Sequence, residues 1–419
     1  MGMMDEQDLF PQSEEDRANA ETESSAQRRG RARDRVQRRK QMRATGEIFA
    51  APVSTGSESP GSPVGASRFA APPRRSSLSQ VKPAGGFSLP NINLPFNRTI
   101  LVAVGSVMFI VIVVVVLGSI RNRPAEDGVN ALWLGDEWTY TPADESAVGS
   151  LVERMRTNRV DTLFAWITQL MPDRAWFGEE NFEAAGQFAA TFKAAYPNAS
   201  LYGWIRIPVD GVSITLDSAA QSQIAAVSQR IVDELGFDGV LLHVDPILSE
   251  DETYLALLRQ VRTSIGAAAL AAAVPPDWTP IAADVPQPPL IAPGTIWDIT
   301  YKQRVALLVD EIVIQTYNTG FDNPTDYTRW IAHQVDTYTA AIAALDVAVN
   351  VFIGIPTYDA DPPRFNPAVE NIASAAAGLR DGVSAAGEAA RFLRGAALYA
   401  EWTTDDREWE AFRAEWADR

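Results

Sequence analysis

Residues 236–246 read GFDGVLLHVDP. Side chains alternate along a strand, so Leu241, His243 and Asp245 share one face and Val240, Leu242 and Val244 the other. A histidine and an aspartate on an inward face need a partner or a use, because burying an unpaired charge is unfavourable. An acid at the last residue of a strand can protonate a leaving oxygen; a bland alternative is an Asp capping the turn that DPILSEDE allows. His243, one of two histidines, lies roughly 6.6 Å along the strand from Asp245. It can tune that carboxyl, orient a hydroxyl or fill a core layer, and these readings remain open. Two further runs end on candidate groups. Tyr317 shares a face with Gln315 and Val313, and its phenol can hydrogen-bond a sugar or a carboxyl. Glu401 shares a face with Tyr399 and Ala397, a second carboxylate that could face Asp245 as two-carboxylate glycosidic hydrolysis requires. Asp136 and Glu137 are weaker candidates and read as solvated loop charges.

These residues must be held by strands. Apolar runs predict strands at 130–135, 161–167, 201–207, 239–244, 268–274, 311–316, 347–355 and 395–401, with amphipathic helical stretches such as ESAVGSLVERMRTN between most of them. Eight strands alternating with helices predict an α/β fold, a (β/α)8 TIM barrel over 130–419, in which carboxylates at the C-terminal strand ends tend to be catalytic. A doubly wound sheet would carry a Gly-rich phosphate loop after its first strand, and WLGDEW is not one.

Composition narrows the partners. Residues 1–98 hold 15 Lys and Arg against 11 Asp and Glu, whereas 121–419 hold 21 against 42, a net of −21. So acidic a barrel argues against nucleic acid as a partner. With no cysteine there is no disulfide and no thiolate site. No metal-ligand spacing, Gly-rich phosphate loop or nucleophile elbow appears, so neither a metal nor a cofactor is expected. Residues 1–98 read as a disordered cytosolic tail with nine basic residues over 28–43. The 22 uncharged residues 99–120 are long enough to cross a ~30 Å bilayer core as one helix, and 121–129 read as a linker. The basic tail predicts a single pass with the N-terminus cytoplasmic and the barrel outside. Trp133, Trp138, Trp166, Trp204, Trp278, Trp297 and Trp402 lie in or after strands or in the Pro-rich stretch after the fifth. They suit stacking on pyranose rings, with barrel packing as the alternative use.

In order along the chain, FDGVLLHVDP, AAAVPP, EIVIQTYNTG, VFIGIPTY and GAALYAEW resemble the strand motifs of chitinase-type (family 18) glycoside hydrolases. The likeness runs from about Asn130 to the C-terminus. That family's fourth strand reads Asp-Gly-x-Asp-x-Asp-x-Glu, the Glu being the general acid. Here Asp238 and Gly239 are kept, Leu241 and His243 replace the next two acids, and Asp245 replaces the Glu. The family's Met-x-Tyr-Asp falls on Gln315, Thr316, Tyr317 and Asn318, and its floor Trp on Tyr399 or Trp402. The resemblance implies Asp245 and Tyr317 as catalytic residues, to which the strand-end position adds Glu401, and His243, Asp238, Gln315, Asn318, Tyr399 and Trp402 as substrate-binding. With the apolar run 99–120 as an anchor, the resemblance implies a membrane-anchored glycosidase acting on a β-linked cell-surface or environmental polysaccharide or oligosaccharide, N-acetylated or not. The alternative is a degenerate barrel that binds glycan without cleaving it, as a receptor or wall-attachment module.

Overall fold

The computed structural model describes residues 129–277, 285–290, 294–345, 347–357 and 365–419. The tail and the apolar run 99–120 lie outside the described residues, as do Trp278 and much of the Pro-rich stretch. Among the described residues no helix is long and apolar enough to cross a membrane.

The strands are β1 (Asn130–Leu134), β2 (Val160–Leu170), β3 (Trp176–Phe177), β4 (Ser200–Pro208), β5 (Gly239–Asp245), β6 (Ala269–Val274), β7 (Glu311–Ile314), β8 (Asn350–Pro356) and β9 (Leu393–Tyr399). The order runs β1-β9-β8-β7-β6-β5-β4-β2, and β1 also pairs with β2, which closes the sheet on itself. All pairings within that ring are parallel. The eight expected strands form this ring, with ends displaced by a few residues.

Parallel neighbours need a crossover, and each ring strand is followed by a helix. These are α1 (Glu145–Thr157), α2 (Phe182–Ala195), α3 (Ser218–Asp233), α4 (Glu252–Ile265), α5 (Ile299–Ala306), α6 (Pro324–Ala343), α7 (Ile372–Ala386) and α8 (Asp406–Phe412). Part of the acidic excess has a local role. Asp144, Asp217, Asp251, Asp298 and Asp405 cap α1, α3, α4, α5 and α8, and Asn323 and Asn371 cap α6 and α7. Each side chain accepts from a first-turn N–H that otherwise has no partner in the helix.

The sequence pattern gave no sign of β3. Strand β2 runs on past Ile167, and its last residues pair antiparallel with β3, Gln169 with Phe177 and Leu170 with Trp176. Between them Arg174 takes a left-handed φ of 67°, and its N–H donates to the Met171 carbonyl at 2.8 Å. The hairpin matters because it carries Gln169 to the barrel mouth.

Strand alternation divides the core in two. Val240, Leu242 and Val244 of β5 pack outward among the helices. Leu241 packs inward with Trp133, Phe164, Trp166, Tyr202, Trp204, Val313, Phe352 and Tyr399. The barrel is thus filled by rings: Trp204 meets Trp133 at 4.7 Å and Trp166 at 4.6 Å, both edge to face, a favoured geometry for aromatic pairs. Trp133, Trp204 and Trp297 are 0%, 1% and 1% exposed, so they are packing residues and offer no face to a sugar.

Candidate active site

The C-terminal ends of β4, β5, β7 and β9 place four groups around one point. Asp245 ends β5, half-buried. Beside it on β4, in register with His243, stands Arg206, only 6% exposed. Tyr317 and Tyr399 complete the ring, their faces stacked at 4.7 Å and 15°. Arg206 feels the charge or dipole of Tyr399, Asp245 and Tyr317, and its Nη1 donates to Gln169 Oε1 at 3.0 Å.

Two influences act on the Asp245 carboxyl, and they oppose each other. Burial disfavours its charged form, while the Arg206 guanidinium favours it; burial wins, and the carboxyl titrates above the ordinary aspartate range. That direction is the one a proton donor needs.

His243 stands one layer deeper. Its ring lies against Trp204 at 5.9 Å and 20°, and edge-on to Trp133 at 6.0 Å. Burial first, then the Arg206 charge, pushes its pKa down to about 3, against a hydrogen bond to Gln315 that favours the protonated ring and raises it. The ring is therefore neutral at physiological pH, with a buried Nδ1 that has no partner among the described residues. Of the roles left open by the sequence, the core-layer one fits this placement. Gln315 links the layers, since its Oε1 accepts from Tyr317 Oη at 3.3 Å.

The Gly-x-Pro element of β8 has a steric reason. A Cβ on Gly354 would stand 2.8 Å from the Ile314 carbonyl oxygen and 3.1 Å from the Tyr317 ring. Only glycine lets β7 and that ring lie so close. After Tyr317 the backbone turns at Asn318, φ 59°, a conformation asparagine tolerates better than most side chains. Glu370 holds this turn: it accepts from the N–H groups of Asn318 and Thr319 at 2.8 Å, from Gly320 at 3.2 Å and from the Thr319 hydroxyl at 2.5 Å.

Not every expected residue joins the mouth. Asp238 precedes β5 and so lies at the opposite end of the barrel from Asp245. There it pairs with Lys193 at 2.5 Å and accepts from the Leu201 N–H at 3.0 Å. Its expected place in substrate binding is corrected to a structural one, since the strand length separates it from the mouth by roughly 20 Å. Glu401 does follow β9, but its carboxylate accepts from Trp138 Nε1 at 3.2 Å and lies 3.9 Å from Arg154 of α1. Its partners there are Trp138 and Arg154, in place of the Asp245 carboxyl that the sequence set opposite it. Trp402 stands edge-on to Tyr399 at 5.7 Å, partly buried at the rim.

Arg206 and Gln169 escaped the sequence reading. Arg206 was legible in LYGWIRI: it shares the inward face with Tyr202 and Trp204, and an arginine is rarely buried without a purpose. Gln169 carried no such signal, because it lies in the unforeseen extension of β2.

No protein-family model and no curated protein matches the chain. Among solved structures, the chain is similar to a chitinase from Chromobacterium violaceum at 16% identity, over 68% of this chain and 98% of that one, with a TM-score of 0.47. It is similar to the Bacillus cereus spore cortex-lytic enzyme SleL at 12%, over 68% and 74%, with a TM-score of 0.48. A chitinase from Bacteroides thetaiotaomicron aligns at 11% identity, over 69% and 95%, with a TM-score of 0.48. The fold itself is read from the closed parallel ring of eight strands, each followed by a helix: a (β/α)8 barrel.

Proposed function

We propose that the barrel mouth binds a β-linked glycan and hydrolyses it with Asp245 as the acid. The observation that carries this reading is the Asp245 carboxyl: at a C-terminal strand end, half-buried, and biased by its surroundings toward the protonated form. In the step proposed, the proton passes from Asp245 to the leaving glycosidic oxygen as the bond to the anomeric carbon breaks. The oxygen of an acetamido group on the sugar bonds that carbon as the leaving oxygen departs, and water then displaces that oxygen while giving a proton to the Asp245 carboxylate. Because Glu401 is turned toward Trp138 and Arg154, the substrate's own acetamido group is the internal nucleophile that fits, which makes an N-acetylated glycan the preferred substrate. In this reading Tyr317 hydrogen-bonds that group.

A second reading has its own support. Arg206 opposes protonation of Asp245, and Leu241 and His243 fill the inward positions below it. These features suit a barrel that holds glycan without cleaving it. Full-length protein in detergent, incubated with chitin, peptidoglycan and β-glucan fragments, separates the two. Released reducing ends that vanish in Asp245→Asn support hydrolysis. Binding with no product, in the wild type and in Asp245→Glu alike, leaves the binding module.

The apolar run 99–120 and the basic tail support a single-pass anchor with the barrel extracytoplasmic. Protease added to intact cells is expected to remove residues beyond about 121 and spare the tail. A tail digested from outside overturns that orientation.

A further inference from the structure

We propose that the β2–β3 hairpin is a second glycan-binding site beside the mouth, one that takes a sugar unit bearing a free, protonated amine. The inference rests on the glycan reading above and narrows its substrate class to a partly de-N-acetylated polymer.

An open pocket of about 450 Å³ sits on the hairpin, its lining including Met171, Pro172, Asp173, Trp176, Phe177 and Glu180. That volume falls in the range of small-ligand sites. Phe177 is a large ring left 48% exposed, and Trp176 beside it is half-buried against the core. The backbone under these rings is fixed. The Phe177 carbonyl accepts from the Thr168 hydroxyl at 2.9 Å and from Tyr140 Oη at 3.3 Å. Gly178 then takes a left-handed φ of 87°, and a Cβ there would collide with the Tyr140 hydroxyl. Aromatic rings on a backbone already held in place lose little freedom when a sugar ring stacks on them.

Charge decides which sugar fits. Asp173 and Glu180 give the pocket two carboxylates, both exposed and neither in an ion pair among the described residues. The charged residues next to them are committed elsewhere: Glu179 to Arg230 at 2.5 Å, and Arg174 to Asp217 through two bonds of 3.1 Å and 2.6 Å. None of the described lining residues is basic. An ammonium group therefore finds two acceptors there and no competing cation, while an acetamide in the same place gains only the ring contact. Phe177 pairs with Gln169 across the hairpin, and β3, β2, β4 and β5 follow one another in the sheet. Three strand spacings, roughly 14 Å, thus separate the hairpin from the strand that ends on Asp245. One oligosaccharide spans that distance, with an N-acetylated unit at Asp245 and an amine-bearing unit on the hairpin.

The test compares two ligands of equal length, a fully N-acetylated chitooligosaccharide and its partly deacetylated counterpart. Both are titrated at mildly acidic pH into full-length protein in detergent. The amine-bearing ligand is expected to bind about three- to tenfold more tightly, the range of two exposed ion pairs. Asp173→Asn combined with Glu180→Gln is expected to erase that preference while the acetylated ligand binds as before. The asparagine keeps an acceptor for the Ala175 N–H, which Asp173 holds at 3.0 Å. Phe177→Ala is expected to weaken both ligands about equally, since it removes the ring and leaves the charges. Equal affinity for the two ligands in the wild type, which needs no variant to fold, overturns the proposal. So does a preference that survives in the double variant, because it then comes from the acidic surface at large. If the acetylated ligand alone binds, the hairpin site fails and the glycan reading stands. If neither ligand nor any other glycan fragment binds, both fail together.

Discussion

An acid lies inside the barrel at each end, and each acid has an arginine near it. At the floor, Glu311 begins β7, 5% exposed, and takes hydrogen bonds from Tyr202 and Asn350. The arginine near it, Arg394, is already committed to Asp161 at 2.6 Å. At the mouth, Asp245 has Arg206 acting on it as a charge, and burial outweighs that charge. The floor acid is thus held by hydrogen bonds from its neighbours, although Glu311 Oε2 and Arg394 Nε keep no hydrogen-bond partner among the described residues, while the mouth acid is only partly buried at its strand end. The two ends differ in exposure: Glu311 is 5% exposed, whereas Asp245 is only partly buried. The two acids of one barrel thus sit in different surroundings, and the proposed function assigns chemistry to the mouth acid alone.

The largest test of this contrast is Asp245→Asn. If the mouth acid donates a proton, turnover of a cleaved glycan is expected to fall about 10²- to 10⁴-fold, with affinity nearly unchanged because the substitution is isosteric. Initial rates and calorimetric titration on the same preparation check both halves. Glu311→Gln is expected to leave turnover near the wild-type rate, and an equal loss from both substitutions would erase the distinction between the two ends.

Stability against pH comes next. Burial, opposed by Arg394 and by the Tyr202 and Asn350 hydrogen bonds, raises Glu311 to about 7 from an unfolded value of 4.5. The folded state therefore holds a proton that the unfolded chain has released between those values. Stability from this group is full below about 4.5 and is lost as pH rises through about 7, by up to a few kcal/mol. His243 has the opposite sign. Its pKa falls from 6.5 to about 3, so its contribution is full above 6.5 and is lost as pH drops toward 3. Melting curves from pH 4 to 9 are expected to show Glu311→Gln gaining on the wild type as pH rises from about 4.5 to 7, with a constant difference above that. His243→Gln, which removes the titration, should narrow its gap to the wild type as pH drops below 6.5. A flat difference curve for either variant refutes the assignment for that residue.

The smallest expected effect is at Glu401. Its contact with Arg154 at 3.9 Å is partly exposed, and such pairs are worth under about 1 kcal/mol. Glu401→Gln is expected to lower turnover less than tenfold. A loss comparable to that of Asp245→Asn would mean that Glu401 works as a second catalytic carboxylate after all.

How much of this could be read from the chain varies with the kind of interaction. Period-two alternation put Leu241, His243 and Asp245 on one face, and the inward cluster confirms it for Leu241. The eight strands were legible because each is a continuous apolar run, as parallel strands covered on both faces must be. The end of β2 was not, because Thr168 and Gln169 break the apolar run and the pairing that extends it comes from β3. The partners of Glu401 were equally hidden: Trp138 and Arg154 are more than 240 positions away in the chain, and only closure of β1 against β9 brings them together. Arg206 was visible all along as an inward arginine, but the family pattern drew attention to β5 and away from β4.

Glu370 makes the turn after β7 dependent on the segment after β8. Three consecutive N–H groups, of Asn318, Thr319 and Gly320, converge on one carboxylate borrowed from the next βα unit. Transplanting the 317–320 loop into another barrel would move the donors and leave their acceptor behind. Anyone re-engineering this rim by loop grafting would have to move the two segments as one cassette.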